Sequence, residues 1–362
     1  MKSTIPSEPS VAPVESPPTP YAPEIHEALP DQHQDLTDIM RHMIAARVYS
    51  TRLFNLQRQG RAGTMAPVDG SEAVAAGAAA GLDPSRDWIF PQYRELVALG
   101  AFGDSLIDSV ALYNLGHPAG GAIPEDVHVF PTQISLATQI PHAVGMAWGM
   151  KLKGEQACTL VFFGDGSSSE GDFYEAANLA GVRKAPVIFV LVNNGWAIST
   201  PTYKQTAAES FAHKAMAFGM PGVQVDGGDP LAMRSAVSKA RQRALSGVGP
   251  TLIEAVTFRL APHTTADDPT RYVPPEDLEE ALVNDPIRRF ATHLESLGVW
   301  NDELHTLAEQ AADKRFDLAW ERAEATPVVP ESFFDHVYET PTARMVRQRR
   351  EMQADLAARE EY

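Results

Sequence analysis

The chain has 362 residues, 44% of them hydrophobic and 21% charged, which is enough to bury a sizeable core in one large domain or two ordinary ones. Forty-seven acidic against thirty basic side chains leave a formal charge of −17, which argues against a broad electrostatic footprint for nucleic acid and leaves room for local basic sites that take small anions. The single cysteine, Cys158, excludes an internal disulfide framework and a cluster of cysteine metal ligands, and fits a reducing compartment.

No apolar run reaches the roughly 18 residues of a membrane span, and the N-terminus lacks the apolar core of a secretory signal, so a soluble cytoplasmic protein is expected. The first 34 residues are dense in proline (Pro6, Pro9, Pro13, Pro17, Pro18, Pro20, Pro23 and Pro30). Such a stretch neither nucleates helix nor buries enough apolar surface to offset its ordering entropy, and it reads as a disordered tail. From Leu36 the spacing Leu36, Ile39, Met40, Met43, Ile44, Val48 predicts a helix of about six turns that ends before Gly60. Small residues dominate from Ser71 to Ala80, which predicts a helix packed closely against a neighbour. A second small-residue helix is predicted over Ala137–Lys151, broken in its first turn by Pro141.

The middle of the chain alternates. Thr159–Phe163 and Val187–Val192 are uninterrupted apolar runs that end at Gly164 and Asn193, the pattern of strands covered on both faces. Between them, Gly171–Val182 has helical composition, with Ser169 and Asp172 spaced as a capping box. Strand, helix, strand implies a parallel sheet and an α/β fold. Leu252–Leu260 is a further predicted strand, and the chain from Pro275 onward is charged, helical and punctuated by prolines. The division expected is a tail (1–34), a main domain (35–325) and a helical C-terminal extension (326–362).

Gly164-Asp165-Gly166 and Asn193-Asn194-Gly195 stand at the carboxyl ends of successive predicted strands, so in a parallel sheet both turns open on the edge where α/β folds bind ligands. A carboxylate oxygen and an amide oxygen facing one point suit Mg²⁺ or Ca²⁺. Glycines beside Asp165 let backbone amides approach an anion, and a metal-bridged phosphate is the natural occupant. Either half alone is a common turn. Together, each at the end of a strand and separated by the helix and second strand within residues 167–192, they are far more specific.

The residues Gly-Asp-Gly-Ser-Ser-Ser-Glu-Gly-Asp followed by Asn-Asn-Gly-Trp-Ala-Ile-Ser-Thr resemble the thiamine diphosphate motif, and more closely the alpha subunit of the decarboxylating component of 2-oxo acid dehydrogenase complexes. Gln92-Tyr93-Arg94-Glu95, Leu136-Ala137-Thr138-Gln139-Ile140-Pro141, the loop Pro262–Tyr272 and the ending Phe333–Tyr338 are similar to other signatures of that family, in the same order. The resemblance implies a thiamine-diphosphate-binding α/β fold with a central parallel sheet flanked by helices. It implies Mg²⁺ held by Asp165, Asn194 and the carbonyl of Trp196, where the family usually has tyrosine. Tyr93, Arg94, Arg259 and His263 would hold the diphosphate, Ile134 and Leu136 would line the aminopyrimidine ring, and Gly164, Gly166 and Ser167 would add backbone contacts. His263 is the implied catalytic residue, assisting proton handling and acyl transfer.

In the resembled family the glutamate that activates the cofactor belongs to a separate beta subunit. The resemblance therefore implies half an enzyme, working as an α2β2 heterotetramer that hands an acyl group to the lipoyl arm of an acyltransferase. Gln92, the run Gln57–Arg61 and the Asp335-Val337-Tyr338 ending look more like branched-chain members than pyruvate members. A Mg²⁺-dependent phosphohydrolase built on Asp165 and Asn194, and a catalytically silent subunit, are the rival readings; the first would want further carboxylates at the metal.

Overall fold

The computed structural model describes residues 33–95, 99–335 and 337–360, so the proline-rich stretch to Pro30 lies outside the described residues. The chain opens with α1 (His33–Arg58) and α2 (Glu72–Ala79), then β1 (Trp88–Phe90), α3 (Leu106–Leu115), α4 (Gln139–Lys153) and β2 (Thr159–Gly164). It continues through α5 (Gly171–Arg183), β3 (Val187–Asn193), the two-residue strands β4 (Trp196–Ala197) and β5 (Thr200–Pro201), β6 (Gly222–Asp226), α6 (Pro230–Leu245) and β7 (Thr251–Val256). Four helices close it: α7 (Pro275–Val283), α8 (Pro286–Ser296), α9 (Asp302–Ala325) and α10 (Ala343–Glu360).

The main sheet is parallel throughout, in the order β1-β2-β3-β7-β6. Its inner strands are apolar without interruption because both faces are covered. Leu160, Phe162, Ile188, Val190 and Ile253 pack into the layer of α1, α2, α3, α6 and α9. The alternate residues Val161, Phe163, Val187, Phe189 and Leu252 pack against α4 and α5. The architecture is thus three layers, helix on sheet on helix. Since α5 lies on one face and α6 on the other, the crossovers part near β3 and β7, and the carboxyl ends of these strands form a crevice.

The alanine- and glycine-rich α2 is small for a steric reason. A Cβ on Gly77 would stand 2.3 Å from the Pro230 carbonyl oxygen, and one on Gly81 2.9 Å from Val237, so only glycine lets this segment approach α6 so closely.

Three local expectations are corrected. Pro141 does not break α4: the helix starts at Gln139, and proline falls in its first turn, where an N–H has no intrahelical partner to lose. No capping box forms before α5, because Ser169 is still inside a 3₁₀ turn (Gly166–Ser169) and extended Glu170 takes the cap position without a side-chain hydrogen bond. β7 stops at Val256 instead of running to Leu260. Beyond it the Thr257 hydroxyl donates to Gly70 O at 2.5 Å and Leu260 N to Asp69 O at 3.1 Å, so the chain exchanges the sheet for the strap 65–70. Gly70, at φ +95°, makes that possible, since a Cβ there would meet Phe258 O at 2.0 Å.

Candidate active site

The Asp165 and Asn194 turns leave neighbouring strands. Gly164 pairs with Val192 at the end of the β2–β3 ladder, and Asp165 N donates to Val192 O at 3.2 Å. The turns also touch: a Cβ on Gly166 would lie 2.9 Å from that of Ala197, so glycine is required for the first turn to pack on the second. Asn194 shapes its own turn, accepting from Trp196 N at 3.2 Å, with Gly195 at φ +86°. Asn193 locks it from below, donating to the buried Glu254 at 2.8 Å and accepting from Gly195 N at 3.1 Å.

Asp165 is 2% exposed, and burial holds its carboxyl above the usual carboxylate range, with a hydrogen bond from Gln205 opposing that rise. No lysine, arginine or histidine nitrogen lies within 4.0 Å of it among the described residues. The Trp196 carbonyl accepts from Arg259 Nη1 at 3.2 Å.

Beside this pair lies a cluster of cations. Arg94 and Arg259 are buried, at 7% and 5% exposure, and among the described residues neither meets a carboxylate in an ion pair. Arg94 donates to the carbonyls of Pro67 and, at 2.8 Å, His263, while Arg259 donates to Ile198 O at 2.8 Å and the Tyr272 hydroxyl at 2.7 Å. Burial pushes the Arg94 guanidinium down from its ordinary range, with Arg259 adding to the effect. Tyr93 stacks edge-on to the His263 ring at 6.4 Å. Asp267 closes the loop, accepting from His263 N at 2.7 Å and Tyr272 OH at 2.5 Å.

Both guanidiniums point at one ring nitrogen: Arg94 lies 2.9 Å and Arg259 3.4 Å from His263 Nδ1. A guanidinium only donates, so Nδ1 is the acceptor and a neutral imidazole carries its proton on Nε2. Burial, then Arg94 and Arg259, depress the His263 pKa to about 4. The unfolded chain, with an ordinary histidine pKa of about 6.5, binds this proton first. The site's contribution to stability is therefore full above about pH 6.5 and is lost as the pH falls toward 4. Histidine ring NMR should show His263 not titrating between pH 8 and 5, and filling the cluster with inorganic pyrophosphate should raise its midpoint; a midpoint near 6.5 in the free protein would contradict the arrangement.

The remaining sequence-picked residues share this edge of the sheet. Gln92 ties them together: its side-chain oxygen accepts from Gly164 N at 2.9 Å and Ser167 Oγ at 3.4 Å, and its backbone oxygen accepts from Gln133 N at 2.9 Å. Ser167 is thereby buried, and the Gly164 N–H is already spoken for. Ile134 and Leu136 lie just past Gln133, both exposed, and Ala137 beside them holds φ +64°, strained for a residue with a Cβ. Gln92, Gln205, Glu254, Asp267 and Tyr272 are the site residues that motif reasoning did not assign roles to. Their contacts bridge distant segments; Gln92 and the loop containing Asp267 and Tyr272 carried a sequence signal, whereas Gln205 and Glu254 did not.

The chemistry of this set fits a diphosphate with a divalent cation. Among the described residues neither the two buried guanidiniums nor the buried Asp165 carboxylate stands in an ion pair, and the Gln92 amide nitrogen is buried without an acceptor. Among the described residues no three His, Cys, Asp or Glu side chains converge on a point, which disfavours the carboxylate-rich centre of a metal phosphohydrolase.

Residues 40–331 match the family described as Dehydrogenase E1 component. The chain belongs to that family. Its relatives include alpha subunits of 2-oxo acid dehydrogenases. The chain is 43% identical over 302 residues to the pyruvate dehydrogenase E1 component subunit alpha of Bacillus subtilis, covering 83% of this chain and 81% of the relative. It is 40% identical over 338 residues to the 3-methyl-2-oxobutanoate dehydrogenase subunit alpha of Mycobacterium tuberculosis, covering 92% and 90% respectively. The E1 chain is accordingly an alpha-type component of the decarboxylating, thiamine-dependent 2-oxo acid dehydrogenases. None of its helices among the described residues is long and apolar enough to cross a membrane.

Proposed function

We propose that this E1 chain is the alpha subunit of a cytoplasmic α2β2 heterotetramer that decarboxylates a branched-chain 2-oxo acid and passes the acyl group to the lipoyl arm of an acyltransferase. Asp165, Asn194 and the Trp196 carbonyl would hold Mg²⁺, a hard cation suited to three oxygen ligands plus phosphate and water. Arg94 and Arg259, with Tyr93 and His263, would take the diphosphate of thiamine diphosphate, and Ile134 and Leu136 would line its aminopyrimidine. The cofactor supplies the electron sink that decarboxylation needs.

The observation that carries this reading is the pair of buried guanidiniums without carboxylate partners, set against a buried aspartate without a cation at the same sheet edge. Arg259 acts on Asp165 only at longer range than an ion pair, and a metal-bound diphosphate would supply each group with a direct partner of opposite charge. His263 enters as a neutral group, with Nδ1 occupied by the two arginines and Nε2–H as a donor toward phosphate or substrate oxygen. Ile134 and Leu136 are exposed in the single chain, as expected of a ring site closed by the beta subunit, and the extension 326–362 exposes Phe333, Val337 and Tyr338 for subunit contacts.

Pyruvate is the second reading, favoured by the higher identity to the Bacillus subtilis relative. A few methylenes separate the two substrates, each worth about 1–3 kcal/mol in a hydrophobic pocket. With the beta subunit co-expressed, thiamine diphosphate and Mg²⁺ should together be required for decarboxylation. The kcat/KM for 3-methyl-2-oxobutanoate should exceed that for pyruvate by at least about 10-fold. The reverse order would select pyruvate, and full activity of the chain alone would contradict the divided site.

A further inference from the structure

Gln205 reaches the Asp165 carboxylate from outside either motif. It follows β5, at the end of a 3₁₀ turn (Thr202–Lys204), and its Nε2 lies 2.5 Å from Asp165 Oδ2 and 3.0 Å from Thr200 O. Both neighbours are acceptors, which fixes the orientation of the amide: reversed, Oε1 would face a carboxylate and a carbonyl. Both amide hydrogens are thus committed, one to Asp165 and one to the hairpin that follows Asn194.

The opposite end of the amide is left without a partner. Gln205 Oε1 is buried and, among the described residues, no donor reaches it. A buried acceptor left unpaired carries a desolvation cost. The side chain nevertheless stays on the carboxylate, which has no cationic partner to hold it. Its effect is directional. With Oδ2 pinned by Gln205 and the backbone amides of Asp165 and Gly166 also donating to the carboxylate, it cannot rotate freely, and no side-chain donor approaches Oδ1 among the described residues.

We propose that Gln205 is a positioning residue for the divalent-cation site: Nε2 orients the Asp165 carboxylate, and Oε1 is the acceptor available to water carried in on the cation. The proposal rests on the reading of the Asp165 and Asn194 turns as that site. It requires the loop 198–206 to be in place before the cation binds. This loop is anchored independently, by Thr202 N donating to Gly195 O at 3.1 Å and by the Arg259 bond to Ile198 O.

The test uses the complex of this chain with its beta subunit and Mn²⁺ as the probe, followed by electron paramagnetic resonance with thiamine diphosphate present. Gln205→Met keeps the length of the side chain and removes the donor. Partners that hold a metal ligand typically contribute 10–100-fold to metal affinity, and a loss of that size in Mn²⁺ binding is expected. At saturating Mn²⁺ the kcat should stay within about threefold of wild type, because the chemistry itself does not use Gln205. If Gln205→Met lowers the melting temperature of the cation-free complex, the upward shift of that temperature on adding Mn²⁺ is read instead, and it should shrink relative to wild type. Wild-type Mn²⁺ binding with Gln205→Met within twofold of it, or an unchanged Mn²⁺-induced shift, would overturn the positioning role. Absence of Mn²⁺ binding by the wild-type complex would overturn the cation site itself.

Discussion

Asp165→Ala should reduce cation-dependent retention of thiamine diphosphate by more than 100-fold and leave under 1% of the activity. The size follows from comparison with groups that act at one remove. Partners of metal ligands are worth about 10–100-fold, so deleting the single carboxylate among the proposed ligands should exceed that range, or about 3 kcal/mol at 1.4 kcal/mol per decade. The same substitution should leave the cation-free protein as stable as wild type or more so. Asp165 is buried, burial opposes its ionisation more than Arg259 favours it, and no cation stands in an ion pair with it among the described residues, so its removal relieves a desolvated charge. Isothermal titration with thiamine diphosphate and Mg²⁺, alongside thermal melts of the cation-free complex, reads both effects. Cofactor affinity that survives Asp165→Ala would favour a silent subunit or another binding mode.

Arg259→Met is the second large effect. Its guanidinium is buried among two carbonyls, the Tyr272 hydroxyl and His263 Nδ1, with no carboxylate in an ion pair. If the diphosphate completes this coordination, losing a buried charge-assisted contact should weaken cofactor binding by about 2–3 kcal/mol, or 30- to 150-fold. Methionine preserves packing and removes a positive charge from the His263 ring, so the His263 pKa should move up from about 4. An affinity within twofold of wild type would show that Arg259 serves the loop and not the ligand. Arg259→Lys should recover little, since one ammonium cannot reproduce four fixed hydrogen bonds in different directions.

Much of the fold was legible in the chain. Continuous apolar runs at Thr159–Phe163 and Val187–Val192 announce strands covered on both faces, and the structure pairs them in parallel. The small-residue segment at 71–80 announces close packing, realised against Pro230 and Val237. Two of the misreadings share a cause. Leu252–Leu260 is apolar enough to be one strand, but Thr257 and Leu260 find better partners on the strap 65–70. Ser169 and Asp172 have capping-box spacing, but the turn that packs against Ala197 delays the helix. Local propensity is a weak prior when a distant segment supplies competing hydrogen bonds.

The same division applies to the site. The sequence by itself determined the chemistry: a carboxylate and an amide at successive strand ends, and a polar loop with arginine and histidine. These depend only on residue type and on the period of the strands. Tertiary structure alone decided which charges lack partners, which nitrogen of His263 carries the proton, and that Gln92, Gln205 and Glu254 hold the turns in place. Burial and pairing are properties of three-dimensional neighbours, and the residues concerned lie tens to more than a hundred positions apart in the chain, farther than local pattern carries information.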